Sequence, residues 1–304
     1  VSIEDKSFSF CNLLKQITIT SSVTSIGESA FVNCRNLESI SVDYQNPQYF
    51  SLGGILFTKD FQQLICYPSS KQGTTYIIPT SVTTISSSAF SYCKSLKQIT
   101  IPPFVTTIGA SAFSECSILT QITIPPSVTS IGDEAFSKCI SLTEIQIPTS
   151  VTSIGHKAFS ECTLIKQITI PSSVTSIGDS PFYKCRHLHS ISVDVNNPNY
   201  ASDEGVLFTK DVTNLLCYPC SKEENSYTIP STVAIIRDCA FYQCGNLKQI
   251  EIPSSATSIG DKAFYNCFSL LAVSIPSSVT SIGSEAFFGC ESLSEVIIPP
   301  SVTS

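Results

Sequence analysis

Residues 117–139 read SILTQITIPPSVTSIGDEAFSKC, and the arrangement of apolar residues in this stretch recurs along the chain. Its clearest mark is a phenylalanine followed three residues later by a cysteine. The recurring phenylalanines are Phe8, Phe31, Phe90, Phe113, Phe136, Phe159, Phe182, Phe241, Phe264 and Phe287. Successive members lie 23 residues apart, except that the intervals from Phe31 to Phe90 and from Phe182 to Phe241 span 59. Repeats of this length bury their apolar side chains against neighbouring repeats, so the sequence predicts a solenoid, which we expect to be one domain over residues 1–304.

Each repeat contains two short extended segments and a turn. Ile122 and Ile124 alternate with polar residues, which is the period-two pattern of a half-buried strand, and a proline ends this strand. Residues 128–131 predict a second extended segment, and Gly132 allows a sharp corner. We expect residues 133–139 to form one helical or 3₁₀ turn that points the phenylalanine and the cysteine into the core. The first strands of successive repeats should pair as one continuous parallel sheet.

Both 59-residue intervals contain a related insertion, at about residues 43–78 and 194–229. Matching residues of the two insertions are offset by 151, so a larger unit has been duplicated. Two apolar runs flank a Thr-Lys-Asp sequence in each copy and predict a protruding hairpin with a polar tip. Such an insertion either reshapes a binding surface or is only tolerated by the coil that carries it. The candidate tip residues are Lys59, Asp60, Lys210 and Asp211.

Ten of the 14 cysteines belong to the repeat and are expected to fill one column of the core. Of the others, Cys220 and Cys239 replace the serines found at the matching positions of the first copy. This paired change suggests a disulfide between Cys220 and Cys239, provided that the two residues lie close enough. The Cys-x-x-Cys spacing of Cys217 and Cys220 is also typical of zinc or redox sites, but Cys244, the fourth ligand such a site would need, belongs to the core column.

The remaining composition excludes several classes of function. The net charge is −7 and no cluster of basic residues stands out, so we expect no nucleic-acid partner. No apolar stretch reaches the roughly 20 residues of a membrane helix. We expect no enzymatic activity, no cofactor and no metal, because no catalytic arrangement rises above the background of a serine-rich chain. The sequence begins and stops within a repeat, so we expect it to be part of a longer array.

The repeat, written Leu-x-x-Ile-x-Ile-Pro-x-x-Val-x-x-Ile-Gly-x-x-Ala-Phe-x-x-Cys as in residues 142–162, resembles the BspA-like, treponemal-type leucine-rich repeats. The resemblance implies a leucine-rich-repeat solenoid of right-handed coils, on a protein that is secreted or displayed at the cell surface. Members of that family are associated with adhesion to host cells or to matrix proteins such as fibronectin, and the family defines no catalytic residues. The sequence departs from the pattern at Glu4, Pro181 and Ala256, which affects local geometry only.

The outward-facing row of the first strands is the best candidate for a binding surface. A rigid face of uncharged hydrogen-bonding groups binds a protein at small ordering cost, although threonine and glutamine are also ordinary residues of an exposed strand. The candidate residues are Gln98, Thr100, Gln121, Thr123, Glu144, Gln146, Gln167 and Thr169. We therefore expect a module that recognises a host, matrix or neighbouring-cell protein. The alternative is a structural array that associates with itself through exposed strands.

Overall fold

The computed structural model describes residues 1–304, which form two compact units, Val1–Cys162 and Thr163–Ser304. Each unit is a stack of β-coils. The strands of the first unit are β1 (Ser2–Ile3), β2 (Gln16–Ile19), β3 (Ser25–Ile26), β4 (Ser39–Val42), β5 (Tyr49–Leu52), β6 (Ile55–Thr58), β7 (Gln63–Cys66), β8 (Thr75–Ile77), β9 (Thr84–Ile85), β10 (Gln98–Thr100), β11 (Thr107–Ile108), β12 (Gln121–Thr123), β13 (Ser130–Ile131) and β14 (Ser153–Ile154).

The first unit has two kinds of parallel pairing. The first strands of the coils pair as β2 with β4, and as β8 with β10 and β12. The second, shorter strands form another sheet, in which β7, β9, β11, β13 and β14 are parallel neighbours, while β1 pairs with β3. Each coil except the one that contains residues 144–146, which form no strand, therefore contributes one strand to each of two faces, as the repeat pattern predicts.

The second unit repeats this arrangement. Its strands are β15 (Gln167–Ile170), β16 (Ser176–Ile177), β17 (Ser190–Val193), β18 (Tyr200–Asp203), β19 (Val206–Thr209), β20 (Asn214–Cys217), β21 (Ser226–Thr228), β22 (Ile235–Ile236), β23 (Gln249–Glu251), β24 (Ser258–Ile259), β25 (Ala272–Ser274), β26 (Ser281–Ile282) and β27 (Glu295–Ile297). The pairs β15–β17, β21–β23–β25–β27 and β20–β22–β24–β26 are parallel.

The core of each unit consists of columns of identical side chains. The rings of Phe113 and Phe136 are completely buried and stack with centroids 5.2 Å apart. The cysteine three residues after each phenylalanine packs in the core and in most coils also forms a hydrogen bond. Cys139 donates its thiol hydrogen to the Phe113 carbonyl of the preceding coil at 3.2 Å, and Cys162 does the same to Phe136 at 3.1 Å. The thiol thus adds a second hydrogen bond to a buried carbonyl that already accepts an amide of its own turn, a bond that an alanine could not make.

The predicted helical or 3₁₀ turn is not confirmed. Residues 133–139 form consecutive β-turns, with bonds from Ser137 N to Glu134 O at 2.9 Å and from Cys139 N to Phe136 O at 3.2 Å. Glu134 and Lys138 have φ values of 53° and 59°, in the left-handed region that interrupts a right-handed helix. This conformation lets alternate amides bond to the next coil, as Phe136 N does to Ala158 O at 2.8 Å. The inward direction of the phenylalanine and cysteine is confirmed.

The expected continuous sheet of first strands is wrong, because each insertion interrupts it and because residues 144–146 form no strand. Ile40 N donates to Gly54 O of the insertion at 2.9 Å, and Ile191 N donates to Gly205 O at 2.9 Å. The insertion therefore covers the edge that the next coil would have paired with. Gly54 has a φ of 81°, and a Cβ there would lie 3.0 Å from Ser39 Cβ, so a glycine and a small facing residue are both required.

Each insertion is a three-stranded antiparallel meander. In the first copy β5 pairs with β6 and β6 with β7, so the predicted hairpin across Thr-Lys-Asp is confirmed and strand β5 was missed. Strand β6 is buried, whereas Lys59 and Asp60 at the tip of the hairpin are exposed. Asn46, 1% exposed, donates to Thr20 O at 2.7 Å and Val23 O at 2.9 Å, and its Oδ1 accepts the amides of Gln48 and Tyr49. The Asn-Pro-x-Tyr sequence therefore fixes the insertion on the preceding coil.

Candidate functional site

The predicted binding rows lie on the exposed side of the first strands, which we call the strand face. In the first unit Gln98 pairs with Gln121 and Thr100 with Thr123, and all four side chains are exposed. Ile99 and Ile122, which alternate with them, are buried. The face thus presents two parallel rows of amide and hydroxyl groups on backbone that hydrogen bonds hold in place.

The other candidate residues of the strand face are exposed but do not extend this sheet. Glu144 and Gln146 keep the alternating pattern around buried Ile145, yet their segment forms no strand in the structure. In the second unit Gln167 pairs with Ser190 and Thr169 with Ser192, in the two-stranded sheet of β15 and β17. The eight residues therefore form separate short rows.

The tip residues are exposed, as predicted, but their polar groups serve the turn itself. Asp60 Oδ1 accepts from Thr58 Oγ1 at 2.6 Å and from Gln62 N at 3.1 Å, and these hydrogen bonds lower the pKa of Asp60. Lys210 Nζ donates to Val195 O at 2.9 Å. Asp211 is held in the same way as Asp60, by Thr209 and Thr213. A role in shaping the tip is thus sufficient to explain these residues.

The enlarged coil has a short turn, and this creates a gap that sequence reasoning missed. Leu64 pairs with Ile85, and the ring of Tyr67 stacks on Phe90 at 5.3 Å. The enlarged coil therefore advances three residues from Leu64 to Tyr67, whereas the next coil advances five, from Ile85 to Phe90, between the same two points of the stack. As a result residues 27–35 and 86–94 face each other across the shortened turn. We call the space between them the first gap.

Side chains bridge the first gap where regular coils are joined by backbone bonds. Ser29 Oγ and Ser88 Oγ lie 2.9 Å apart, and Arg35 Nη2 donates to the Tyr92 hydroxyl at 2.9 Å. A cavity of about 260 Å³ lies at one end, lined by Glu28, Gln63 and Ser86 among others. A second cavity of about 270 Å³ lies at the other end, and its lining residues are Arg35, Ser69, Ser70, Gln72, Tyr92, Lys94 and Ser95.

The second unit contains the equivalent space between residues 178–186 and 237–245, which we call the second gap. Its bridging groups differ. Arg237 Nη2 lies 3.0 Å from Asp179 Oδ1, and the rings of Tyr183 and Tyr242 lie 4.4 Å apart. A cavity of about 230 Å³ remains beside the ion pair. The same short turn is present, since Tyr218 stacks on Phe241 at 5.1 Å.

Three thiols lie near one another at the second gap. Cys217, Cys220 and Cys239 line one small cavity of about 20 Å³, and none of the three forms a disulfide. Cys220 donates to Cys185 O at 3.3 Å, the bond that Ser69 makes to Cys34 O in the first copy. Burial raises the pKa of Cys220 to about 11. A disulfide between Cys220 and Cys239 therefore stays a prediction, and no cluster of His, Cys, Asp and Glu side chains has the geometry of a metal site.

The model of the BspA type leucine-rich repeat region matches the chain in 6 copies, over residues 1–59, 65–189 and 213–304. The chain belongs to the BspA-type leucine-rich repeat family. The unmatched residues fall in or beside the two enlarged coils, which agrees with the departure of these coils from the regular repeat.

Solved structures give the same assignment. A leucine rich cell surface protein from Faecalibacterium prausnitzii is 31% identical, with 99% of this chain and 78% of that chain covered and a TM-score of 0.67. A leucine-rich repeat protein from Bacteroides ovatus is 29% identical, with 100% and 77% covered and a TM-score of 0.54. The pneumococcal vaccine antigen PcpA, 23% identical over 83% of this chain and 79% of that chain, shares the fold with a TM-score of 0.65.

Among curated proteins no sequence matches this BspA-type chain significantly. The structure has no helix with the length and hydropathy needed to cross a membrane.

Proposed function

We propose that this BspA-type chain is a protein-recognition module displayed at the cell surface, and that its strand face is the binding surface. The surface location is supported by the family and by the Faecalibacterium structure, which is described as a cell surface protein. The partner we propose is an extracellular protein of a host, a matrix or a neighbouring cell.

The observation that carries the proposal is the pair of exposed rows on β10 and β12. Gln98 and Gln121 lie opposite each other, as do Thr100 and Thr123, with no charged group within the rows. Because the strands are fixed by parallel pairing, only the side chains lose freedom on binding. Amides and hydroxyls both donate and accept, so they match the polar rim of a protein partner without the desolvation cost of charges.

The test is a charge placed in the middle of the rows. Gln98→Lys with Gln121→Lys should weaken binding to immobilised fibronectin, or to another matrix protein that the wild type binds, by at least about tenfold, because two buried ammonium groups would lack partners. The matched control is Thr106→Lys with Thr129→Lys. These exposed residues lie in the same two coils, just before the shorter strands β11 and β13, and add the same charge.

The proposal fails if the wild type binds no extracellular protein, or if both double variants bind equally well. Light scattering separates the alternative of a self-associating array. A monodisperse monomer at high concentration supports recognition of another protein, whereas growth into long assemblies would favour the array and contradict the proposal.

A further inference from the structure

The first gap holds two cations on one aromatic ring. The Arg35 guanidinium carbon lies 4.5 Å from the centroid of the Tyr92 ring, and Lys94 Nζ lies 5.1 Å from the same centroid. Both side chains are exposed and both line the cavity of about 270 Å³. The tyrosine thus fixes the position of two positive groups at the mouth of one cavity.

Neither cation has a carboxylate partner. Elsewhere in the chain Lys138 pairs with Glu115 at 2.6 Å and Arg237 pairs with Asp179 at 3.0 Å, whereas Arg35 and Lys94 form no ion pair. Other basic residues, such as Lys97, also lack an ion pair, but Arg35 and Lys94 are placed beside one ring and line one cavity. Two like charges repel each other, and an anion between them would relieve that repulsion.

The polar groups of the cavity are arranged for one small anionic group. Tyr92 occupies one of the five N–H donors of Arg35, so a fork of donors remains for a carboxylate. The hydroxyls of Ser69 and Ser95 are used by backbone carbonyls, at 2.6 and 3.0 Å, which leaves the Ser70 hydroxyl for a ligand. The volume is below the roughly 300–1,000 Å³ of sites for drug-sized molecules. It suits a single side chain.

The cavity adjoins the strand face. Arg35 precedes β4 by four residues, Lys94 precedes β10 by four, and Gln72 precedes β8 by three. All three therefore lie at the beginning of the first strands, within reach of a protein seated on Gln98 and its neighbours. We propose that the protein partner places an aspartate or glutamate side chain between Arg35 and Lys94. This inference rests on the proposed function and adds the chemistry that the partner must present.

The second gap supplies a natural comparison. There Gln243 replaces Tyr92, Gly245 replaces Lys94 and Glu223 replaces Gln72, while Arg186 keeps the position of Arg35. A Cβ at Gly245 would overlap the ring of Phe268, whose counterpart in the first copy is Ser117. The second gap therefore lacks the paired cations and carries a carboxylate in their place.

The experiment uses a capped hexaglutamate peptide, with hexaglutamine as its neutral counterpart, and measures binding by fluorescence anisotropy at low and at physiological ionic strength. The wild type should bind hexaglutamate and not hexaglutamine. Lys94→Gly with Gln72→Glu, which copies the second gap, should weaken binding at least about tenfold. Lys97→Gly, which removes an exposed lysine nearby, should change it less than about twofold. Thermal melting of each variant checks that it is folded.

The inference is overturned if hexaglutamate does not bind, if Lys97→Gly weakens it as much as the double variant does, or if a sulfated disaccharide binds through Lys94 while hexaglutamate does not. The last result would assign the cavity to acidic glycans. Failure here leaves matrix-protein binding and its dependence on Gln98 and Gln121 untouched, so it is distinguishable from failure of the proposed function.

Discussion

The two enlarged coils share one skeleton and differ in the side chains that cross their gaps. Asn46 and Asn197 make the same buried hydrogen bonds, and Tyr67 and Tyr218 take the same place in the core column. The side chains at the first gap are those of Ser29, Ser88, Arg35 and Lys94. The second gap is bridged instead by an ion pair, thiols and two tyrosines.

The comparison separates residues that the fold requires from residues that are free to vary. The asparagines that satisfy buried backbone, Asn46 and Asn197, are identical in the two copies, because losing them removes several hydrogen bonds in the core. Groups that bridge the gap lie near solvent and tolerate exchange. Residues that differ between the two copies are therefore the better candidates for a role in function.

The largest expected effect is the loss of stability at alkaline pH that is caused by the matching thiols Cys66 and Cys217. Burial raises the pKa of Cys66 from 9.0 to about 12, and burial also raises that of Cys217. The stability contributed by each thiol is complete below pH 9 and is lost as the pH rises toward the folded-state pKa, because only the unfolded chain releases the proton. Cys66 alone should cost about 4 kcal/mol between pH 9 and 12. Urea unfolding followed by far-UV circular dichroism measures this.

The variant Cys66→Ala should show a shallower alkaline slope than the wild type, and Cys217→Ala should do the same. Stability that stays constant up to pH 11 would contradict the burial of these thiols.

Asn46 tests the shared skeleton. Asn46→Ala should lower the free energy of unfolding by about 3 kcal/mol, because the Val23 carbonyl, the Thr20 carbonyl and two amides each lose a hydrogen bond. Asn197→Ala should cost a similar amount. Asn36, which makes one bond to Asn12 O at an exposed site, is the control and should cost less than about 1 kcal/mol when changed to alanine. Equal losses at Asn36 and Asn46 would show that the motif does not hold the insertion.

The second gap alone has the cysteine pair for a disulfide. With oxidised glutathione as oxidant, Cys220 and Cys239 should each lose a thiol hydrogen and join, which lowers the mass by about 2 Da and stabilises the chain by about 2 kcal/mol. Peptide mapping without reductant detects the bond, and Cys239→Ser is the control. If both thiols remain open to alkylation after oxidation, the predicted pairing is wrong.

The smallest effect concerns the ion pair of the second gap. Arg237→Ser, which copies Ser86 of the first gap, should cost less than about 1 kcal/mol, since Arg237 and Asp179 are 47% and 63% exposed. Thermal melting with and without salt provides the measurement. A loss of several kcal/mol would mean that the side chains bridging the gap are required for stability. That result would contradict the conclusion that only the buried residues shared by the two copies are required.

The repeat of phenylalanine and cysteine was sufficient to predict the coils, the two strands in each and the inward columns. The turn was mistaken for helical because Glu134 and Lys138 are not residues that normally indicate φ above zero. The rows on β10, β12 and β15 were placed correctly, whereas Glu144 and Gln146 lie on no strand. The interruption at the first insertion depends on Gly54 O, whose position a pattern does not reveal.

The first gap was missed for a different reason. It arises because a turn is two residues shorter than its neighbour, which becomes visible only once Leu64 is paired with Ile85 and Tyr67 with Phe90. The identity of Tyr67 and Tyr218 at an offset of 151 was the available signal. That pairing places Arg35 and Lys94, which are 59 residues apart in the chain, beside the same Tyr92 ring.

The most direct measurement is the binding stoichiometry of hexaglutamate by titration calorimetry, for the wild type and for a chain whose second gap carries the residues of the first. That variant combines Glu223→Gln, Gln243→Tyr, Gly245→Lys and Phe268→Ser, with Arg186 already in place. The structure predicts one site per chain in the wild type and two in the variant. A variant that still binds one peptide, or a wild type that already binds two, would contradict the claim that the residues bridging the gap determine what this protein recognises.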